Sequence, residues 1–205
     1  MEDPRDLEAR RLAMVEQQIA ARGVRSPRVL DAMGRVKREG FLPSYMGEFA
    51  YEDSALPIEE EQTISQPYIV AFMVEALQIE AQDRVLEIGT GSGYAAAVLA
   101  ELAGEVYTIE RHEKLAESAR RHLRKSGHVG VHVRHGDGTL GWPEAAPFDG
   151  ILVAAGGPVV PASLQEPLAT AGRVHIQVEE GDGTKYRVRV TGSRCEHARK
   201  GDLVE

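Results

Sequence analysis

The sequence predicts an α/β domain, with a mainly parallel β-sheet, helices on both faces of the sheet and additional helices at the N-terminus. From Asp83 onward, short segments rich in Val and Ile alternate with helical segments, the pattern of a parallel sheet with crossover helices. Before that point, apolar residues recur with helical spacing. We expect one domain over residues 1–205, with an N-terminal helical part at 1–80 and the sheet region at 81–205.

Two helices are predicted near the N-terminus. Leu12, Val15 and Ile19 lie on one face of the first, and Gly23 follows at the position of a C-cap glycine. The second begins at Ser26-Pro27, because Ser is a favoured N-cap and Pro is favoured at the first helical position.

A loop-like segment then leads to a third helix and the sheet. Residues 40–62 contain scattered aromatic residues and two prolines, which is typical of a loop, and Pro67 predicts a helix start. The later strands are expected at 84–89, 105–110, 131–136, 148–155 and 173–178, and the helices between them at 94–103, 113–125 and 163–172. Residues 185–190 alternate apolar and polar side chains after "EEGDG", which predicts an antiparallel hairpin. Ligands of such sheets bind beyond the carboxyl ends of the strands, where the strand order reverses.

Composition narrows the possible functions. The net charge of −8 argues against a general nucleic-acid binder, since phosphate binding requires a basic face. Apolar runs are too short to span a membrane, and the charged N-terminus lacks the apolar region of a secretory signal. Cys195 is the only cysteine, which excludes an internal disulfide, and the histidines lack metal-ligand spacing. We expect a cytoplasmic monomer without a metal site.

The segment "LEIGTGSGYAAAV" joins the first strand of the sheet to the next helix. Glycines allow a sharp turn and a close approach of the backbone to a ligand. The dinucleotide fingerprint is G-x-G-x-x-G, whereas here the third glycine comes one residue earlier and an acidic residue precedes the first. This spacing disfavours a nicotinamide dehydrogenase and looks like the S-adenosyl-L-methionine (AdoMet) loop of Rossmann-like methyltransferases. The candidate cofactor-binding residues of the loop are Glu87, Gly89, Thr90, Gly91, Ser92 and Gly93.

Two further acidic residues follow neighbouring strands. Glu110 ends the second predicted strand, close to the spacing of about 20 residues expected for a carboxylate that binds ribose hydroxyls. Asp137 follows the third strand in "HGDGT", where its side chain is within reach of an adenine amino group. Either acid alone is equally well explained as a solvated strand-end residue, but together with Glu87 they predict an AdoMet site. The remaining candidate cofactor-binding residues are Arg111, Gly136 and Gly138.

Several segments together resemble the protein-L-isoaspartate O-methyltransferase family. They include "MVEQQIAARGV", "AYEDSALPI", "QTISQPYIVAFM", "RVLEIGTGSGYAAAVLA", "TIER", "GDGTLGWPEAAPFDGILV" and "AGRV", of which "QTISQP" is specific to the family. The resemblance implies a Rossmann-like AdoMet-dependent methyltransferase whose residues 1–80 include the substrate side. It implies AdoMet as the cofactor, S-adenosyl-L-homocysteine as its product, and damaged proteins or peptides with isoaspartyl residues as partners. Methylation of the isoaspartyl α-carboxylate gives an ester that collapses to a succinimide and reopens in part as normal aspartate.

The resemblance assigns the catalytic role to Ser65 and substrate contacts to Thr63, Ile64 and Ser65. A carboxylate is already ionised at neutral pH, so its methylation needs alignment with the methyl group rather than a general base. A small hydroxyl suits this task, because Lys or Arg would bind the ground-state carboxylate strongly and reduce its nucleophilicity. The residues alone, without the resemblance, favour a helix cap ahead of Pro67, a role that is also compatible with the functional one.

The C-terminal segment departs from the family pattern. Family members usually continue "GGRLV" into "IPVG" and finish with a "V-x-F-V-P-L" strand that helps to enclose the peptide. Here Gln177 replaces the proline, and Glu179 and Glu180 follow, which we expect to repel an anionic substrate if they face it. The given sequence stops at "RKGDLVE". The expectation from this difference is normal AdoMet affinity with weak or absent turnover. This difference leaves open an AdoMet-binding relative with little turnover. A separate alternative, which nothing in the sequence distinguishes, is an O-methyltransferase of another peptide carboxylate.

Overall fold

The structure is a computed structural model that describes residues 4–157, 168–179, 185–191 and 194–198. Its first helix, α1 (Pro4–Ala13), continues through a π-helical turn at Met14–Ile19 and a 3-10 turn at Ala20–Arg22. The chain leaves this helix at Gly23, which has the left-handed φ of 101° expected of a C-cap glycine. The predicted C-cap is thus confirmed.

The second and third helices begin at the predicted prolines. α2 (Pro27–Arg35) has Ser26 as its N-cap, and the Ser26 hydroxyl accepts a hydrogen bond from the Val29 amide at 3.4 Å. α3 is Pro67–Ala76. The segment between them contains 3-10 turns at Arg38–Phe41 and Ser44–Phe49 and a small antiparallel hairpin, β1 (Leu56–Pro57) with β2 (Thr63–Ile64). Strands of two residues carry no alternation signal, so sequence analysis described this segment only as a loop.

Among the described residues, the main sheet has seven strands in the order β5-β4-β3-β6-β7-β8-β9. Its strands are β3 (Arg84–Ile88), β4 (Glu105–Glu110), β5 (His132–His135), β6 (Phe148–Gly157), β7 (Leu168–Glu179), β8 (Lys185–Thr191) and β9 (Arg194–Ala198). Strands β3 to β7 pair in parallel, and β8 and β9 are antiparallel additions. The chain moves outward from β3 to β5 and then returns to β6 on the other side of β3. This reversal of strand order beside β3 is where a ligand site is expected.

Apolar side chains cover both faces of the sheet. Val85 and Val106 on one face belong to a cluster shared with α3 and α4 (Tyr94–Ala100). On the opposite face, Leu86 and Ile109 pack with residues that include Ala145, Phe148 and Trp142. The remaining helix is α5 (Glu113–Lys125), which has the bounds that the sequence predicted. The sheet and its helices match the predicted α/β architecture.

The prediction of a helix at 163–172 is wrong for residues 168–172. Residues 168–172 belong to β7, which pairs with β6 from Phe148 opposite Leu168 to Gly157 opposite Val178, with irregular register at both ends. Pairing with a neighbouring strand here overrides the helical preference of Leu and Ala. Residues 163–167 lie outside the described residues. Strand β9, which sequence analysis missed, extends the predicted β7–β8 hairpin by one antiparallel partner.

Within the part of the chain that the structure describes, no helix combines the length and the apolar composition needed to cross a bilayer.

Candidate active site

A cavity of about 950 Å³ opens at the carboxyl ends of β3 and β4, beside the reversal of strand order. Three parts of the chain form its walls: the glycine loop after β3, the β1–β2 hairpin with the start of α3, and the residues that follow β4 and β5. The predicted residues that line it are Thr63, Ile64, Ser65, Glu87, Gly89, Thr90, Gly91, Ser92, Glu110, Arg111, Asp137 and Gly138. Gly93 and Gly136 do not line it. Residues that were predicted for one site and lie far apart in the sequence therefore line one cavity.

The glycine loop adopts a conformation that side chains would oppose. Gly91 has φ 53° and Gly93 has φ 91°, both in the left-handed region that favours glycine. A Cβ on Gly93 would also lie 3.3 Å from the Ala119 Cβ on α5. Gly93 thus allows α5 to pack against the start of α4, although it does not line the cavity itself. The amides of Gly89 and Thr90 donate to the Ile109 carbonyl at 2.9 and 3.3 Å, which ties the loop to β4.

The carboxyl group of Glu87 is buried in the floor of the cavity. Its Oε2 accepts a hydrogen bond from Thr108 Oγ1 at 2.6 Å, and that hydroxyl lies 2.6 Å from Thr90 Oγ1. Among the described residues, the other oxygen, Oε1, has no hydrogen-bond partner. Burial raises the pKa of Glu87 to about 8, and the charge of Glu110 adds to the increase while the Thr108 hydrogen bond opposes it. Glu87 therefore has a buried acceptor oxygen without a partner among the described residues.

The Glu110 carboxylate links the glycine loop to the end of β4. Its Oε2 accepts from the Gly91 amide at 2.8 Å, and its Oε1 accepts from the His112 amide at 2.9 Å. Only 5% of the residue is exposed. A carboxylate oxygen has two lone pairs, so each oxygen of Glu110 has capacity for one more donor, such as a ribose hydroxyl. Glu110 is thus placed both to shape the loop and to bind a ligand.

Asp137 lies in an exposed turn after β5 at the edge of the cavity. Its Oδ1 accepts from the Thr139 amide at 2.9 Å and from the Thr139 hydroxyl at 2.7 Å. These two hydrogen bonds lower the pKa of Asp137, so the side chain is a carboxylate at neutral pH. The next residue, Gly138, packs so closely on β3 that a Cβ there would lie 2.4 Å from Ile88 Cγ2. This contact brings the Asp137 turn against the cavity.

Ser65 follows β2 at the mouth of the cavity and directly precedes the N-cap of α3. The cap residue is Gln66, whose side chain makes no capping hydrogen bond. The Ser65 hydroxyl makes no hydrogen bond to any described residue, whereas its backbone carbonyl accepts from Arg38 at 3.3 Å. The helix-cap explanation of this segment is therefore wrong. Ile64 is buried beside Ser65, and Thr63 is exposed.

The β1–β2 hairpin covers the glycine loop through a strained turn. Ile58 Cδ1 would lie 3.7 Å from a Cβ on Gly91. Glu60 and Glu61 both have left-handed conformations, with φ of 55° and 56°. The Glu60 carboxylate pairs with Lys114 Nζ at 2.8 Å, which joins the turn to the first turn of α5. The hairpin turn thus has a strained backbone, and the ion pair between Glu60 and Lys114 holds it against α5.

Replacing Glu61 by glycine is expected to stabilise the protein by roughly 0.5–1 kcal/mol. A left-handed conformation costs a non-glycine residue about 1–2 kcal/mol, and the greater chain entropy of glycine offsets roughly 0.5–1 kcal/mol of the gain. Urea unfolding measures this change. The matched control is Glu59→Gly, at a position without a left-handed φ, which is expected to lower stability. Equal destabilisation by both substitutions would contradict the strain at Glu61.

Sequence analysis missed several residues that line the cavity. Ile69, Val70 and Met73 lie on one face of α3. The signal for them in the sequence was the spacing of three to four residues between these apolar side chains in the helix that begins at Pro67. Arg22 also lines it, where its guanidinium stacks on the Tyr68 ring at 3.6 Å. No local pattern in the sequence indicates this long-range contact. The other lining residues not predicted are Ala55, Gln62, Gln66, Ile88, Tyr94, Ala95, Ile109, His112, Thr139 and Ala154.

Comparison with known protein families supplies the decisive observation. Residues 9–199 match the family model described as protein-L-isoaspartate(D-aspartate) O-methyltransferase. The chain belongs to this family. Its similarity to individual members covers nearly the whole chain. It is 54% identical over 204 residues to protein-L-isoaspartate O-methyltransferase 2 of Marinobacter nauticus, which covers 98% of this chain and 93% of that protein. It is 53% identical over 204 residues to protein-L-isoaspartate O-methyltransferase 1 of Rhodopseudomonas palustris, covering 100% of this chain and 83% of that protein.

Solved structures support the family assignment at the level of the fold. A protein-L-isoaspartate O-methyltransferase that is 28% identical superposes with a TM-score of 0.82, covering 96% of this chain and 67% of that one. A Plasmodium falciparum protein described as a putative protein-L-isoaspartate O-methyltransferase, in complex with S-adenosyl-L-homocysteine, gives a TM-score of 0.79 at 21% identity, covering 92% of this chain and 94% of that one. At this identity the second likeness shows the fold alone. The predicted Rossmann-like methyltransferase fold is confirmed.

Proposed function

We propose that this member of the protein-L-isoaspartate O-methyltransferase family transfers the methyl group of AdoMet to the α-carboxylate of L-isoaspartyl residues in damaged proteins. The observation that carries the proposal is the position of Ser65, whose hydroxyl is unpaired among the described residues and lines the same cavity as the glycine loop. A cofactor half and a substrate half thus share one site. Relatives about half identical to the chain carry the name of this activity.

The cavity suits AdoMet in the chemistry of its buried groups. The unpartnered oxygen of Glu87 is an acceptor for the ammonium of the methionine part, and Glu110 has lone pairs for the ribose hydroxyls. Asp137, at the edge, is placed for the adenine amino group. The glycine loop between these acids lets the backbone approach the ligand closely. We therefore assign AdoMet binding to the cavity-lining residues that were predicted on the loop and after β4 and β5. Gly93 acts through loop shape only, and a role for Gly136 stays a prediction.

Methyl transfer to a carboxylate requires orientation of the carboxylate and exclusion of water more than it requires proton transfer. AdoMet supplies an activated methyl group, and the isoaspartyl carboxylate is already an anion at neutral pH. The Ser65 hydroxyl donates a hydrogen bond to one carboxylate oxygen and so aligns the other with the methyl group. Ile64, Ile69 and Met73 supply apolar wall that excludes water from the reacting carboxylate. In this proposal Thr63 contacts the substrate at the open side.

The alternative of an AdoMet-binding relative with little turnover is not favoured by the comparisons. The relative from Marinobacter nauticus aligns over 98% of this chain at 54% identity and carries the methyltransferase name. Residue 180, which we expected to repel an anionic substrate together with Glu179, lies outside the described residues, and the structure describes no side chain at 179. We accordingly expect isoaspartyl turnover. Other expectations stay predictions. They are a monomeric state, a cytoplasmic location, the lack of nucleic-acid and metal binding, and the division of the chain near residue 80.

Methyl incorporation tests the proposed function. The protein is incubated with tritiated AdoMet and either an isoaspartyl peptide or a twin peptide with normal aspartate at the same position. We expect a base-labile methyl ester on the isoaspartyl peptide only. Equal labelling of both peptides would indicate a different carboxylate specificity, and labelling of neither would contradict the proposal.

Ser65→Ala is expected to slow methyl transfer by about tenfold and to leave binding of S-adenosyl-L-homocysteine unchanged. Tenfold corresponds to about 1.4 kcal/mol, in the range of a lost hydrogen bond that orients a group already able to react. Single-turnover methylation measures the rate, and calorimetry measures the affinity. Thermal stability is expected to be nearly unchanged, because the hydroxyl has no partner among the described residues. A Ser65→Ala protein as fast as the wild type would remove Ser65 from the substrate site.

Binding of S-adenosyl-L-homocysteine is expected to strengthen as the pH rises from 6 to 8. Burial raises the pKa of Glu87 to about 8, so the free protein holds this carboxyl protonated at pH 6 and 7. A ligand ammonium requires the carboxylate, so binding releases the proton, at an energetic cost that decreases as the pH approaches 8. Calorimetry in buffers of different ionisation enthalpy measures the proton release. Glu87→Gln is expected to abolish both the release and the pH dependence, and their persistence in that variant would contradict the assignment.

A further inference from the structure

Arg38 is a charged side chain in the protein interior. It is 0% exposed and is the bulkiest of the fully buried side chains among the described residues. It forms no ion pair with a carboxylate in the described part of the chain. Burial lowers the pKa of Arg38 to about 10, which still leaves the guanidinium protonated at neutral pH. A buried cation without an ion-pair partner is costly, so its hydrogen bonds require an explanation.

The three hydrogen bonds that Arg38 makes to described residues go to backbone carbonyls of the segment that carries Ser65. Nε donates to the Ala50 carbonyl at 3.0 Å, and the two terminal nitrogens donate to the carbonyls of Ser54 and Ser65, each at 3.3 Å. The planar fork of a guanidinium reaches separate acceptors in fixed directions. Arg38 thus fixes the chain on both sides of the β1–β2 hairpin at once.

The same guanidinium contacts the cofactor half of the site. Its carbon lies 5.5 Å from the centre of the Tyr94 ring, within the range of a cation–π contact. Tyr94 is the first residue of α4, directly after the glycine loop, and it lines the cavity. Phe41 packs edge-on against the same ring at 5.7 Å. Arg38 therefore connects the backbone at Ser65 to the end of the glycine loop.

We infer that Arg38 is a positioning residue for methyl transfer: it holds Ser65 at the distance from the glycine loop that aligns the substrate carboxylate with the methyl group. The inference rests on the proposed function. Arg38 does not line the cavity, so in this proposal it acts through the backbone of Ser65. Weakening the hydrogen bonds of Arg38 is expected to leave the cofactor half of the site in place and to reduce the order of the Ser65 hydroxyl.

A double-mutant cycle separates this role from a general contribution to folding. The four proteins are the wild type, Arg38→Lys, Ser65→Ala and the double variant, each measured in single-turnover methylation of an isoaspartyl peptide with AdoMet saturating. Lysine keeps the charge but presents one ammonium in place of the fork. We expect Arg38→Lys to slow methyl transfer by about tenfold in the wild-type background and by about twofold or less in Ser65→Ala, because the two changes remove one shared interaction. Binding of S-adenosyl-L-homocysteine is expected to stay within about twofold of the wild type.

Arg11→Lys is the matched control. Arg11 is also buried and donates to the Gly34 carbonyl at 2.7 Å and to the Tyr51 hydroxyl at 3.5 Å. Among the described residues it makes no hydrogen bond to the three carbonyls that Arg38 holds. We expect Arg11→Lys to lower the melting temperature without a change in methyl-transfer rate measured well below that temperature. Rate losses of the same size for Arg11→Lys and Arg38→Lys would overturn the inference.

Hydrogen exchange adds a second readout. Arg38→Lys is expected to speed exchange of the amides of residues 62–66 more than exchange of the amides of the sheet.

Equal rate losses from Arg38→Lys with and without the Ser65 hydroxyl would overturn the inference while leaving the proposed function intact. An inactive wild type would overturn the proposed function itself. Arg38→Met tests the same role without the charge. If neither Arg38 variant folds even with excess S-adenosyl-L-homocysteine, the residue is a folding determinant and the inference is wrong.

Discussion

Glu110→Ala is expected to weaken binding of AdoMet and S-adenosyl-L-homocysteine by about 1–3 kcal/mol, the cost of leaving buried hydrogen-bonding groups unpaired. Two losses add in this variant. The ribose hydroxyls lose their acceptor, and the amides of Gly91 and His112, which donate to Glu110 at 2.8 and 2.9 Å, lose theirs. Because Gly91 lies in the glycine loop, the second loss also reduces the order of the loop around the ligand. Isothermal calorimetry with S-adenosyl-L-homocysteine measures the change.

A carboxylate at the other end of the same strand provides the control. Glu105 begins β4, pairs with Arg84 at 2.9 Å and does not line the cavity. Glu105→Ala is expected to leave the affinity unchanged. Glu110→Gln keeps the shape but replaces one acceptor oxygen with a donor, so an intermediate loss is expected. Unchanged affinity in Glu110→Ala would remove Glu110 from the ribose site.

Gly138→Ala is expected to destabilise the protein by about 1–3 kcal/mol, the usual cost of forcing an extra carbon into a packed region. The new Cβ would lie 2.4 Å from Ile88 Cγ2, and Ile88 is 7% exposed at the end of β3. Relief of this clash moves the turn that carries Asp137 away from β3, so affinity for S-adenosyl-L-homocysteine is expected to fall as well. Urea unfolding and calorimetry measure the two effects.

Gly136 gives a matched control two residues earlier. A Cβ there has no atom within 4 Å among the described residues, and neither Gly136 nor Gly138 has a left-handed φ. Gly136→Ala therefore tests the general effect of alanine in this turn without the clash, and stability within about 0.5 kcal/mol of the wild type is expected. Equal stability of the two variants would show that the contact between Gly138 and Ile88 does not hold the turn.

The cofactor side of the site was predictable because it depends on strand ends. Periodicity located β3 and β4, and the parallel arrangement then brought Glu87 and Glu110 to one edge of the sheet. The opposite side depended on a resemblance for Ser65, since its residues alone favoured a helix cap. The structure distinguishes the two, because the cap of α3 is Gln66. The carboxylates follow from the strand pattern and topology, whereas no local pattern gives Ser65 a role in its loop.

Contacts between residues that are distant in the sequence could not be predicted from any local pattern. Arg38 lies in a segment whose charged residues suggest a solvated surface, yet it is 0% exposed and bonded to residues 12 to 27 positions away. Strand pairing likewise decided the structure of residues 168–172, where composition favoured a helix. In both cases the deciding partner is distant in sequence, and its position follows only from the assembled fold.

Repair of an isoaspartyl peptide is the most direct test of the proposed activity. The protein is incubated with an isoaspartyl peptide and excess AdoMet, and the normal aspartyl peptide is quantified by chromatography over several hours. Methylation followed by collapse of the ester to a succinimide predicts that the aspartyl peptide accumulates while the isoaspartyl peptide declines through repeated rounds. Omission of AdoMet is expected to stop the conversion, and Ser65→Ala is expected to slow it. An isoaspartyl peptide that persists unchanged with a protein that binds S-adenosyl-L-homocysteine would contradict the proposed function.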